Sequence, residues 1–236
     1  MADVGDQGQQ AGAARDAVVS ITVEELRAEA EHRLLEVEEG AGLAAADAAL
    51  IRLGLAASPT CLDAGAIDRA GAEALAAGVA GPALHEVIVL VSGLGVHTLM
   101  QASGRIARLR AQAGDTALPA ELPAEAEPIW RRRVGEDPYW NTFQEIVPDF
   151  LDPLLRQSPP AFEAFFDYCA LPWHRRTLSG LQMELISLAV DCCPTHRFRP
   201  GFLLHLRNAI GLGAGRRAIL AALDIAAAAP GHSGVA

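Results

Sequence analysis

Between Cys192 and Gly213 the chain reads CCPTHRFRPGFLLHLRNAIGLG, placing two adjacent thiols, two histidines and three arginines together in a sequence otherwise rich in alanine, leucine and valine. Residues of these types can serve as a metal site, a redox thiol pair or an acid/base centre. The spacing favours the last. Glu184 and Asp191 lie seven apart, so on a helix both carboxylates face one side, two turns from each other. Pro194 ends that helix, and Pro200 with Gly201 opens the next. On this second helix Gly201, His205 and Asn208 share a face, while His196 sits in the turn between. Helix, turn and helix thus deliver a carboxylate, two imidazoles and an amide to one neighbourhood. General acid/base catalysis uses such a set, because an imidazole titrates near neutrality and a neighbouring carboxylate fixes its tautomer. Arg197, Arg199 and Arg207 offer guanidinium forks suited to a carboxylate substrate.

Each residue also has a purely structural reading. Glu184 would be a solvated edge of an apolar helix, His205 a satisfied core histidine, and His196 a cap on the turn after Pro194. Asp191, unfavourably placed at a helix C-terminus, would pair with Arg197 or Arg199. A metal centre built from Cys192, Cys193, His196 and His205 has suitable donor atoms. Adjacent cysteines rarely aim both sulfurs at one tetrahedral ion, however, so no metal is expected. Cys192 and Cys193 read instead as small buried residues at a helix end.

Composition narrows the classes. The 236 residues carry 29 acidic and 19 basic side chains, a net charge of −10, which argues against nucleic acid as a partner. Every basic residue is arginine, so Schiff-base chemistry and a P-loop lysine are excluded from this chain. Four cysteines, Cys61, Cys169, Cys192 and Cys193, form neither a disulfide framework nor a paired C-x2-C motif. The first residues lack the basic start and apolar run of a signal peptide. Val87 to Val91, the most apolar stretch, is far shorter than the roughly twenty residues of a membrane span. A soluble, cytoplasmic protein with reduced thiols is expected, with no membrane partner.

Helical periodicity dominates and strand signals are nearly absent, which predicts an all-α fold. Thr22 with Glu25 forms a capping box, Ser158–Pro159 opens another helix, and Gly78 and Gly213 follow apolar runs as left-handed caps. LAAADAALIRLGLAASPT from Leu43 aligns without a gap on LSGLQMELISLAVDCCPT from Leu178, an offset of 178 minus 43, or 135. Pro59–Thr60 falls on Pro194–Thr195, Gly78 on Gly213, and His97 on His232. The chain reads as a duplicated helical unit: a disordered lead (1–20), a first repeat (21–115), a linker (116–135) and a second repeat (136–236). Where the second repeat has Glu184, Asp191, His196 and His205, the first has Ala49, Ala56, Cys61 and Ala70. That asymmetry locates the site in the second repeat. His97 and His232, present in both copies, read as structural unless each copy's tail completes the other's pocket.

The second repeat resembles the carboxymuconolactone decarboxylase superfamily, which includes the alkyl hydroperoxidase D proteins. MELISLAV (Met183 to Val190) and HLRNAIGLGAGRRAIL (His205 to Leu220) carry the resemblance, the latter fitting H-x3-A-x3-G-A-[ST]-x-x-E-I through His205, Ala209, Gly213, Ala214 and Ile219. The redox branch of that family has C-x2-C-x3-H, but here Phe198 and Gly201 stand where its cysteines belong. THRFRPGFLLHLRNA is similar to a cysteine-free subset called decarboxylase-like. The resemblance implies a duplicated alkyl hydroperoxidase D-like helical bundle, the family acid on Glu184, no cofactor and a ring-shaped homo-oligomer, a trimer for a double-repeat chain. It implies a cofactor-independent lyase or isomerase acting on a small, anionic carboxylated ring or lactone. Glu184, His196 and His205 would be catalytic, and Asp191, Arg199, Arg207 and Asn208 would bind substrate. The rival readings are a thiol-dependent peroxidase or disulfide reductase using Cys192 and Cys193, and a non-catalytic oligomeric small-molecule binder.

Overall fold

The structure, a computed structural model, describes residues 20–175 and 177–235, so all of the expected N-terminal lead except Ser20 lies outside the described residues. Among the described residues there is no strand. The helices are α1 (Val23–Arg33), α2 (Ala45–Ala57), α3 (Ala64–Ala76), α4 (Gly81–Ser92), α5 (Val96–Gln112), α6 (Glu127–Arg133) and α7 (Pro138–Ile146). They continue with α8 (Leu151–Gln157), α9 (Pro159–Cys169), α10 (Leu171–Arg175), α11 (Gly180–Cys192), α12 (Arg199–Gly211) and α13 (Arg216–Ala227). The all-α expectation holds. The expected start signals act as predicted: Thr22 and Glu25 make a reciprocal capping box on α1, and the Ser158 hydroxyl accepts from the Ala161 amide at the start of α9.

Each bound of α11, α12 and α13 lies 135 positions after the matching bound of α2, α3 and α4. The turns correspond as well. Leu62 and Arg197 have φ of 53° and 51°, and Gly78 and Gly213 have 84° and 89°, the left-handed conformation that glycine adopts without strain. Thr195 donates to Thr60, its counterpart at that offset, at 3.3 Å.

α2 and α11 are apolar nearly all round, the pattern of a core helix, and they pack on each other at the centre. Gly54 permits their close approach, since a Cβ there would stand 2.7 Å from Ile186 Cγ2. One hydrophobic core runs through both helix triplets, from Leu26 to Ala226, so neither triplet has a core of its own. α1 precedes the first triplet in sequence but packs on α11, α12 and α13. A second cluster, built on Phe143, Phe150, Phe162, Phe165 and Phe166, joins α7, α8 and α9 and reaches Leu204 of α12. The segment expected as a linker, 116–135, contains α6, with Pro128 in its first turn, three arginines in its last, and Ala126 and Val134 buried at its ends.

α4 runs into α5 through a 3-10 turn at Gly93–Gly95, giving a helical stretch of 32 residues, Gly81–Gln112. By length and composition it is apolar enough to cross a membrane, which inspection of Val87 to Val91 alone missed. Its inner side belongs to the bundle: α4 packs on α2 and α11, α5 on α8, and Glu86 is wholly buried. The Glu86 carboxylate accepts from the Thr177 amide and hydroxyl, tying α4 to the strap before α11.

Candidate active site

α11 begins at a Ser179–Gln182 capping box and carries Glu184 and Asp191 inward on one face. Both are buried, at 3% and 1% exposure. Burial rules out the solvated-edge reading of Glu184. The helix stops before Pro194; the turn closes when the Phe198 amide donates to the Asp191 carbonyl at 2.9 Å, with Arg197 in the left-handed region. α12 then returns antiparallel to the site, with Pro200 in its first turn.

This geometry joins His205 to Glu184. His205 Nδ1 and Glu184 Oε2 are 2.7 Å apart, and Asn208 donates to Glu184 Oε1 at 3.2 Å. One carboxylate is thus held at both oxygens by the helix opposite, leaving His205 Nε2 without a hydrogen-bond partner among the described residues, 3.9 Å from Asp191 Oδ2. Burial of the His205 ring opposes protonation. The hydrogen bond to Glu184, the charge of Glu184 and the charge of Asp191 outweigh it, and the pKa lies above the ordinary imidazole value.

Asp191 pairs with neither Arg197 nor Arg199. Its Oδ1 faces His196 Nε2 at 3.4 Å and His97 Nδ1 at 3.7 Å. Those two nitrogens are 2.8 Å apart. His97 comes from the start of α5, where its ring stacks on Phe198 with centroids 4.0 Å apart. Desolvation drives its pKa down to about 4 despite the nearby carboxylate. His97 therefore belongs to this cluster; the sequence kept it only as an outside candidate. The 135-residue spacing held the signal: His232, at the matching position, places Nδ1 3.1 Å from the Cys61 carbonyl, and Cys61 matches His196 at that offset. Each triplet is thus followed by a histidine that reaches the turn of the other.

The cluster opens on a cavity of about 720 Å³ whose wall includes His97, Glu184, Ser187, Asp191 and His205. Apolar and aromatic side chains, among them Met100, Tyr139, Trp140, Phe143, Phe165, Phe166 and Trp173, make most of the remaining wall. Sequence reasoning missed this aromatic side, because α7 to α10 carry no polar motif. Two expected substrate clamps lie elsewhere. Arg199 binds Glu29 on α1 through two hydrogen bonds of 2.9 and 2.8 Å, and Arg207 is exposed and outside the cavity wall. At the first turn of α12 the arginine side chain points away from the helix face that Gly201 and His205 share. Asn208 binds Glu184 and is not part of the cavity wall. Arg132 and Arg133 do line the cavity but pair with Glu163, and Arg133 also with Asp167 at 2.6 Å.

The Cys192 and Cys193 thiols are poorly placed for redox chemistry. Cys192 and Cys193 are buried outside the cavity wall, and burial pushes the Cys192 thiol up to about 12. Gly201, at one of the family's cysteine positions, lies against Asp191: a Cβ there would stand 2.0 Å from Oδ2 and 2.9 Å from the Phe198 ring. A Gly201→Ala chain is expected to lose about 1–3 kcal/mol by overpacking. Urea denaturation followed by circular dichroism measures it, and a change under about 0.5 kcal/mol would contradict the contact.

No family model matches the chain, and no curated protein sequence does. A solved structure does match: a candidate gamma-carboxymuconolactone decarboxylase subunit from Burkholderia xenovorans LB400, with a TM-score of 0.64 and 25% identity, over 86% of this chain and 76% of that one. The chain has the all-helical carboxymuconolactone decarboxylase-like fold, and this likeness supports membership of that superfamily.

Proposed function

We propose that the chain is a lyase or isomerase that moves a proton on a small carboxylated ring or lactone, and that it arose by duplication of one helical module. One observation carries the reading: His205, held by the buried Glu184, presents its other imidazole nitrogen to a largely apolar cavity large enough for a small ring. Loss of CO2 leaves its bonding electron pair on the ring as a dienolate. His205 Nε2 donates the proton that ends on carbon, and solvent restores it. Glu184 holds Nδ1 and so selects the tautomer and orientation. Apolar walls exclude water from the carbanion.

The matching helix bounds and turns support duplication, and the alanines of the first triplet at the positions of Glu184, Asp191 and His205 favour a site in the second. A screen of small lactone acids and cyclic carboxylates for CO2 release or double-bond migration tests the activity. Turnover of at least one, abolished with His205→Ala, is the expected result. No turnover of any member by a folded chain would sink the reading.

We also propose a homo-oligomer, a trimer, using the outer side of α4 and α5, where Ile106 and Leu109 are 47% and 58% exposed. Light scattering on the eluting peak should give three times 24.8 kDa. A monomer at micromolar concentration would refute it.

A further inference from the structure

We propose that His97, Asp191 and His196 bind one divalent transition-metal ion of the zinc, cobalt or ferrous type, a departure from the metal-free expectation of the sequence. The three donor atoms, His97 Nδ1, His196 Nε2 and Asp191 Oδ1, lie within 4.8 Å of one another. Their separations are 2.8, 3.4 and 3.7 Å. The circle through three such points has a radius of about 1.9 Å, so a point about 2.1 Å from all three exists just off their plane. That is the length of zinc bonds to imidazole nitrogen and carboxylate oxygen, roughly 2.0–2.2 Å.

The state of Asp191 is an independent indication. Its side chain is 2% exposed, and among the described residues only imidazoles face it: His196 and His97 at Oδ1, and His205 Nε2 3.9 Å from Oδ2, which has no hydrogen-bond partner there. Burying a carboxylate costs several kcal/mol unless its charge is compensated, and buried charges are ordinarily paired or bound to metal. Two imidazoles and one carboxylate favour a borderline transition ion over calcium or magnesium, which take mainly oxygen donors. Asp191 and His97 also line the cavity, so three protein donors leave a coordination position facing it, the arrangement of catalytic rather than structural sites. The ligand expected there is a carboxylate or enolate oxygen. This supplies the positive charge that Arg199 and Arg207, turned outward, do not. The first triplet offers no such site: the matching residues are His232, Ala56 and Cys61, and His232 faces a backbone carbonyl.

The site stands or falls separately from the proton chemistry of His205, because metal binding is read without turnover. The untagged full-length chain, stripped with chelator, is titrated with zinc by calorimetry and with cobalt by visible absorption. One ion per chain is expected, with submicromolar affinity and the cobalt band of a low-coordinate site. His97→Ala and His196→Ala should each weaken binding by at least the roughly 10–100-fold seen for residues that merely orient a metal ligand. Cys192→Ser with Cys193→Ser, and separately Glu184→Gln, should leave affinity within about threefold. Circular dichroism confirms that each variant is folded, and the partly exposed His97 is the substitution least able to disturb the core. Zinc binding weaker than about millimolar in the wild type, or wild-type affinity in a folded His97→Ala chain, overturns the site and leaves the two histidines as a hydrogen-bonded pair.

Discussion

His205→Ala should retain the fold and lose roughly 10²–10⁴-fold in kcat, the range for removing a general acid or base. At about 1.36 kcal/mol per tenfold, that is roughly 3–5 kcal/mol of transition-state stabilisation. The ring is partly exposed to the cavity and its main fixed partner is Glu184, so truncation leaves a space water can enter and solvate the carboxylate. Glu184→Gln should also lower kcat, with KM little changed. Gln keeps the bulk and the contact with Asn208 but loses the charge that favours an imidazolium. This split distinguishes Glu184 as a positioning residue from a residue that binds substrate. Steady-state kinetics on whichever ring acid the screen identifies decide it. A folded His205→Ala chain with wild-type kcat would show that the pair is a satisfied core network and that the cavity binds without catalysing.

Phe162→Ala should cost about 3–5 kcal/mol of stability, the range for deleting a fully buried phenylalanine. Phe162 has no exposed surface and packs between Trp130 of α6, on which it stacks, and the tilted ring of Phe166 of α9, with centroids 6.3 and 4.9 Å away. Against a typical domain stability of about 5–15 kcal/mol, this is a large fraction. The aromatic cluster is separate from the core that the two triplets share, so the loss should fall on α6 to α9 first. An early denaturation step in tryptophan fluorescence, ahead of the helical signal, is expected, because Trp130 and Trp140 pack on this cluster. Phe165 and Phe166 form cavity wall, so KM should rise more than kcat falls. A loss under about 1 kcal/mol would show that the wall repacks without Phe162.

Much of the site was legible in the sequence because it is local. Glu184, Asp191 and His205 lie on two helices, where periodicity alone puts their side chains on facing surfaces, and His196 lies in the tight turn between them. Proline and glycine at Pro194, Pro200 and Gly213 fixed where those helices end and begin. The matching helix bounds at an offset of 135 were legible for a similar reason, since helix bounds follow turn residues, and Pro-Thr and glycine recur at one spacing. Such spacing reports faces of a helix, however, and says nothing of what approaches from another element. Tertiary structure decided that His97 of α5, kept by the sequence only as an outside candidate, stands against Asp191, 94 positions further along the chain, and it set the aromatic side of α7 to α10 over the cavity. It also decided the arginines. Arg199 and Arg207 have the right charge and lie near His205 in sequence, yet each helix position points in one direction, and theirs is outward. Which charges a buried carboxylate meets depends on the packing of separate helices, and that is a property of the folded chain.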